Sequence, residues 1–125
     1  MKKGIGIDII EVSRIKSMME KYGDKFFKRI LTDKEIEYCK SFEINSELHF
    51  AGRFASKEAY SKAIGTGISK EFGWKDIEVL NDSKGKPYIH HVKDSEYSTH
   101  TFDISISHTK EYACAVVIYE DSVIG

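Results

Sequence analysis

Apolar residues alternate with small and polar ones at the start of the chain, which is the pattern of a strand. Over residues 4–12, GIGIDIIEV, Ile5, Ile7 and Ile9 share one face, and Gly4, Gly6, Asp8 and Ile10 share the other. The period then lengthens. Ser13 is placed to cap a helix in which Ile15, Met18, Met19 and Tyr22 follow a helical repeat. Phe26, Phe27, Ile30 and Leu31 extend the apolar stretch beyond Gly23, and Thr32-x-x-Glu35 is a capping box opening a short helix with Ile36 and Cys39 inward. Residues 46–64 form the longest helical stretch. Ala51, Ala55, Ala59 and Ala63 recur along it as a small-residue stripe that lets another element come close, and Gly65 and Gly67 end it.

The second half reads as β. Ile77 and Val79 alternate with polar neighbours, the loop N-D-S-K-G-K-P (81–87) follows, and Tyr88 and Ile89 begin a return strand. Residues 91–101 are polar and read as a surface loop. Phe102–His108 alternates again, and Tyr112–Glu120 reads as a well-buried apolar strand. The expected class is α+β in one domain spanning 1–125, with helices concentrated in the first half and strands in the second.

Composition narrows the function. With 19 Lys plus Arg against 20 Asp plus Glu, the net charge is −1, so the chain lacks the basic excess of a nucleic-acid binder, and any anion site must be a local cluster. Cys39 and Cys114 lie far apart and form no C-x-x-C pair; both are expected to pack as small hydrophobes. No signal peptide and no long apolar run is present, so a cytoplasmic protein away from membranes is expected.

Four constellations carry candidate chemistry. Asp8 is a carboxylate in an apolar strand, expensive to bury unless paired or metal-bound. Gly4 and Gly6 on its face leave room for a ligand, although an edge strand with Asp8 facing water fits the same residues. In R-F-A-S-K-E-A-Y-S-K-A (53–63), Phe54, Glu58 and Lys62 form one helical stripe with Arg53 and Lys57 beside it. One acid among three cations suits a hard cation bound to an anionic ligand; a solvated face with an i,i+4 pair is the alternative. The 81–87 loop can offer backbone N–H groups and lysine charge to a phosphate, or serve as a plain hairpin turn. In Ser105-Ile106-Ser107-His108-Thr109, the last three can donate hydrogen bonds to an anion. A Ser-His hydrolase using Ser105 or Ser107 lacks the G-x-S-x-G elbow. His90 and His91, adjacent on a strand, point to opposite faces and do not make a joint metal site.

Together these segments resemble the holo-acyl-carrier-protein synthases, the short family of 4′-phosphopantetheinyl transferases. G-I-G-I-D-I-I-E-V-S-R (4–14) is similar to the family's opening motif. R-F-A-S-K-E-A-Y-S-K-A-I-G-T-G (53–67) is similar to its second, with F-x-x-K-E-A-x-x-K-A as the core. G-K-P (85–87) and S-I-S-H-T (105–109) resemble the third and fourth. The motifs come in order over nearly the whole chain.

The resemblance implies a 4′-phosphopantetheinyl transferase fold, one lobe with helices packed on a mostly antiparallel sheet. It implies Mg²⁺, with Mn²⁺ as the substitute ion, on Asp8 and Glu58, and coenzyme A as co-substrate. Lys62 would lie against the pyrophosphate. Arg53, Gly85, Lys86, Pro87, Ser107, His108 and Thr109 would hold the nucleotide end, and Gly65 would end the helix near it. Larger two-lobed relatives carry a second acid two residues after the first; Ile10 stands there, so the metal would lean more on water. A one-lobed chain implies a site between subunits, and the short family is usually trimeric. The implied reaction moves phosphopantetheine from coenzyme A to a serine of apo-acyl carrier protein, in fatty acid biosynthesis. Glu58, directly or through a metal-bound water, is the candidate base. The acidic carrier would dock on Arg14, Met18, Lys21 and Phe26, with Phe54 beside them. The rival from another class is a non-catalytic coenzyme A or carrier-protein binding module.

Overall fold

The computed structural model describes residues 3–121. A strand, β1 (Lys3–Glu11), leads into three short helices, α1 (Val12–Tyr22), α2 (Asp24–Ile30) and α3 (Asp33–Lys40), and then a long one, α4 (Ser46–Ile64). Four strands follow: β2 (Ile77–Asn81), β3 (Pro87–His91), β4 (Thr101–His108) and β5 (Tyr112–Glu120). β1, β5 and β4 make an antiparallel sheet with β5 central, and β2 and β3 make a separate antiparallel hairpin. This is the expected α+β arrangement, helices on antiparallel sheets.

α4 is the axis of the molecule. Phe50, Ala51, Ala55, Ala59, Tyr60 and Ala63 on it are all buried, with the inner sheet face on one side and α1, α3 and β2 around the rest. The alanine stripe does what small residues permit, and the element it admits is β1. A Cβ on Gly6 would stand 2.0 Å from the Ala59 carbonyl oxygen, and one on Gly4 would stand 2.2 Å from that of Ala63. The space above these glycines, read from the sequence as room for a ligand, is therefore filled by the chain's own helix.

That docking decides the faces of the sheet. The Gly4–Gly6–Asp8–Ile10 side of β1 turns inward, while Ile5, Ile7 and Ile9 are 64–67% exposed. β5 is not buried throughout, as its apolar run suggests. Ala113, Ala115, Val117 and Tyr119 face the core, whereas Tyr112 and Ile118 are each 46% exposed on the opposite side. Cys39 is buried, and burial pushes its thiol up to about 12; Cys114 lies half-buried on the outer face.

Two local expectations change. Ser13 does not cap α1: β1 runs on to Glu11, the helix starts at Val12, and the Val12 N–H finds a backbone partner in the Glu111 carbonyl at 2.8 Å. Of the α1 stripe only Ile15 is fully buried; Tyr22 is 47% exposed. The Thr32–Glu35 pattern does open α3, with the Thr32 N–H donating to Glu35 at 2.9 Å. Among the described residues no helix is long and apolar enough to cross a membrane.

Replacing Gly6 by alanine forces a methyl group against helix backbone that has no side chain to move aside. The expected cost is roughly 1–3 kcal/mol, with a matching fall in melting temperature. Unchanged thermal stability of Gly6→Ala would show that β1 can stand off from α4.

Candidate active site

Because β1 lies directly on α4, Asp8 reaches the helix two residues beyond Gly6. The Lys62 ammonium is 3.0 Å from the Asp8 carboxylate and donates also to the Ile7 carbonyl at 3.1 Å. Asp8 is mostly buried, its side chain 15% exposed, so it is not the water-facing residue of an edge strand. Glu58, one helical turn before Lys62, is half-buried in the same cluster. Burial pushes its carboxyl above the usual range, the Asp8 charge adds to this, and Lys62 offsets part of it. Two carboxylates thus share one lysine. Among the described residues no group of three or more His, Cys, Asp and Glu side chains comes together as a metal cage. A pair of hard oxygen donors with open sides suits an ion such as Mg²⁺ that keeps water and phosphate oxygens as its other ligands.

The remaining predicted residues go elsewhere. Lys57 does not join the charged stripe: its ammonium is fully buried, 2.6 Å from the equally buried Glu35 carboxylate. Spacing along α4 cannot reveal this, since Glu35 sits on another helix and reads from the sequence as a cap alone. Arg53 is 4% exposed. Its guanidinium lies 4.3 Å from the Tyr38 ring centre and donates to the Asn81 side chain, while its Nε is buried without a partner. Asn81 in turn donates to the Gly85 carbonyl at 2.9 Å, so Arg53 reaches the 81–87 loop through Asn81.

That loop spends most of its N–H groups on itself. Those of Lys84 and Lys86 donate to the Asp82 carboxylate at 2.8 and 2.9 Å, and that of Gly85 donates to the Asp82 carbonyl. Gly85 sits at φ +84°, where a side chain would be strained. What the loop offers outward is the side chains of Lys84 and Lys86. Thr109 likewise closes its own turn, its N–H donating to the Tyr112 carbonyl and its hydroxyl accepting from Glu111 and Tyr112. Ser105 and Ser107 line the outer sheet face opposite Val116 and Cys114, whereas the His108 ring meets His49 at 5.6 Å on the other side, so no Ser-His pair forms. His90 and His91 diverge as expected, and His91 bonds the Tyr60 hydroxyl at 2.9 Å.

His49 was not legible in the pattern. Its ring stacks on Phe42 at 3.5 Å, beside Tyr38 and His108. Burial, then His108 and Arg53, hold its imidazole below the usual range.

Three predicted groups therefore stand in three places on one chain. Asp8, Glu58 and Lys62 meet where β1 crosses α4. His108 and Thr109 line a cavity of about 930 Å³ with Lys16 and Asn45. Lys86 and Pro87 line another of about 350 Å³ against β4 and β5. Gly65, at the α4 C-terminus, has φ +83°. On the first helices, Arg14, Met18 and Phe54 border a cavity of about 270 Å³. Met18 and Phe26 border a second, of about 660 Å³, with Tyr22, Lys25, Lys28 and Arg29. Lys21 lies over the Tyr22 ring. Phe54 also packs on Trp74, 5.3 Å between ring centres, which explains an apolar residue on a charged stripe.

Comparison with known proteins shows the family. Residues 4–117 match the model of the 4′-phosphopantetheinyl transferase superfamily. A holo-[acyl-carrier-protein] synthase of Chloroherpeton thalassium is 50% identical over 120 residues, 93% of this chain and 96% of the relative. The crystal structure of the Bacillus anthracis synthase in complex with CoA (3′,5′-ADP) superimposes with a TM-score of 0.82 at 50% identity, covering 95% of this chain and 96% of that one. The Helicobacter pylori synthase in complex with coenzyme A gives 0.84 at 37% identity, over 93% and 99%. The chain belongs to the 4′-phosphopantetheinyl transferase superfamily, in its holo-acyl-carrier-protein synthase family.

A carboxyl that holds its proton more tightly in the folded than in the unfolded chain lowers stability above its folded pKa and ceases to do so below the unfolded one. Glu58 is such a group. Without divalent metal, Glu58→Gln is expected to raise the melting temperature at neutral pH, with the gain vanishing as the pH falls through the carboxylate range. A variant less stable than wild type at neutral pH would show that the Glu58 charge is satisfied by the fold.

Proposed function

We propose that this chain is a holo-acyl-carrier-protein synthase that uses Asp8, Glu58 and Lys62 to transfer phosphopantetheine from coenzyme A to a serine of apo-acyl carrier protein. The observation that carries the residue assignment is the cluster itself: two carboxylates and one lysine drawn from β1 and α4, on a fold shared with coenzyme A-bound relatives. A bare binding module has no need of an acid made more basic by burial beside a second acid. The Ser-His hydrolase finds no support, since Ser105 and Ser107 face the opposite side of the sheet from His108.

Asp8 and Glu58 would hold Mg²⁺, which when bound neutralises pyrophosphate charge and orients the phosphate for in-line attack. Glu58 takes the proton of the carrier serine as general base. The serine oxygen bonds to the β-phosphorus as the bond to the departing adenosine 3′,5′-bisphosphate breaks. Lys62, half-exposed at the edge of the cluster, meets the negative charge on the leaving side. Arg53, Gly85, Lys86, Pro87, Ser107, His108 and Thr109 are assigned to the nucleotide end, with Arg53 acting through Asn81 and Gly65 ending α4 beside it.

A homotrimer with the site between subunits fits two features. The outer sheet face carries Ile5 against Ile118 and Ile7 against Val116, an exposed apolar surface larger than scattered residues would give. The cluster and the nucleotide-end residues also stand apart on one chain, so a neighbour can supply what one subunit's cluster lacks. The carrier docks on Arg14, Met18, Lys21, Phe26 and Phe54, where Lys25, Lys28 and Arg29 add positive charge around apolar cavities, complementary to an acidic partner.

Incubation with apo-acyl carrier protein, coenzyme A and Mg²⁺, read by intact carrier mass, is expected to show the gain of one phosphopantetheine. EDTA or Asp8→Ala should abolish it. No gain on any carrier, with coenzyme A still bound, would favour the binding module. Carrier affinity should fall with salt, and less steeply in Arg14→Ala; a salt-independent affinity would remove the docking face.

A further inference from the structure

The cluster at Asp8 is held from behind by a second set of charges that takes no part in the proposed reaction. Lys57 precedes Glu58 in sequence and points about a quarter-turn or more away around α4. Its ammonium meets Glu35 at 2.6 Å and donates to the carbonyls of Ile30 at 2.9 Å, Trp74 at 2.7 Å and Ile77 at 3.0 Å. The Glu35 carboxylate also accepts the N–H groups of Thr32 at 2.9 Å and Val79 at 2.8 Å. One fully buried ion pair thereby bonds the end of α2, the start of α3, the turn Trp74–Asp76 and the first half of β2 to a single position on α4. Glu78, nearly buried, joins from β2 by accepting the Thr32 hydroxyl at 2.6 Å.

Stability alone does not call for this arrangement. An apolar pair of similar volume commonly holds a core as well as a buried ion pair, because the ions give up their hydration to be there. Apolar packing lacks directional bonds that stop a helix from turning about its axis or sliding along it. Here that freedom matters, since the residues flanking Lys57 are those assigned to the reaction. Glu58 follows it, and Lys62 lies just beyond.

We propose that the Lys57–Glu35 ion pair is a positioning device for the transfer reaction, fixing the rotation and register of α4 so that Glu58 and Lys62 face Asp8. Neither residue touches substrate. The inference rests on the assignment of Glu58 and Lys62 to the reaction. Loss of the pair displaces groups that must act within a fraction of an ångström, while coenzyme A binding, spread over many contacts, is little affected.

The test is steady-state transfer by the full-length chain, with melting temperature measured alongside. In Glu35→Leu/Lys57→Met, which replaces both charges together, the melting temperature should fall, because the Thr32 and Val79 N–H groups lose their acceptor; at temperatures where the variant stays folded, KM for coenzyme A should stay near wild type while kcat falls roughly 10- to 100-fold. A folded double variant with wild-type kcat overturns the inference and leaves the pair a structural one. Should that variant fail to fold, Glu35→Asp keeps the charge and withdraws the carboxylate by one methylene. A kcat loss at unchanged KM supports positioning; an unchanged kcat, or a rise in KM matching the loss, overturns it. If Asp8→Ala and Glu58→Gln transfer normally, the assignment of the cluster fails instead, and this inference with it. A wild-type chain that transfers nothing overturns the proposed function itself.

Discussion

Everything in this site follows from how closely a strand and a helix approach. β1 lies against α4 with backbone nearly touching backbone, because Gly4 and Gly6 carry no Cβ and Ala59 and Ala63 carry little more. At the usual spacing of a strand and helix separated by larger side chains, Asp8 would not reach Lys62 at 3.0 Å, nor would its charge bear on Glu58. The same approach turns the isoleucines of β1 outward. A single packing constraint thus concentrates charge on one side of the strand and exposes apolar surface on the other.

The charged residues of α4 divide by depth. Lys62 and Glu58 stand at the edge of the helix, where solvent and ligand can reach them. Lys57 and Arg53 are buried, each satisfied differently: Lys57 by a carboxylate and three carbonyls, Arg53 by Asn81 and the Tyr38 ring. Buried charges are costly unless surrounded by partners in defined directions. Supplying those partners ties α2, α3 and the β2–β3 hairpin to the helix that carries the acids. The helical half and the hairpin half of the chain are joined through these polar contacts as much as through the apolar core.

Surface chemistry follows a similar logic. The exposed face of β1 and β5 is apolar in consecutive rungs, unlike the polar outer face usual for an antiparallel sheet in water. The first helices present a different surface, with lysines and an arginine around Met18, Tyr22 and Phe26. One face suits a second copy of the chain and the other an acidic partner.

Much of this was written in the order of residues. The 3.6 and 2.0 periodicities located a strand at 4–12, which the structure ends at Glu11, the helix at 46–64 and the strands of the second half, because each element's own face pattern is a local property. The alanine stripe announced a close neighbour, and the ordered motifs at 4–14, 53–67, 85–87 and 105–109 carried the family resemblance. What the sequence left open was every choice that needs a partner from a distant segment. Only the tertiary structure decided that α4, rather than a ligand, fills the space over Gly4 and Gly6. It decided too that Lys57 turns inward to Glu35, that Arg53 meets Asn81, and that Asp82 accepts the N–H groups of Lys84, Gly85 and Lys86. Periodicity reports which way a side chain points from its own backbone. What stands at the other end is set by packing and by the demand that each buried charge find a partner.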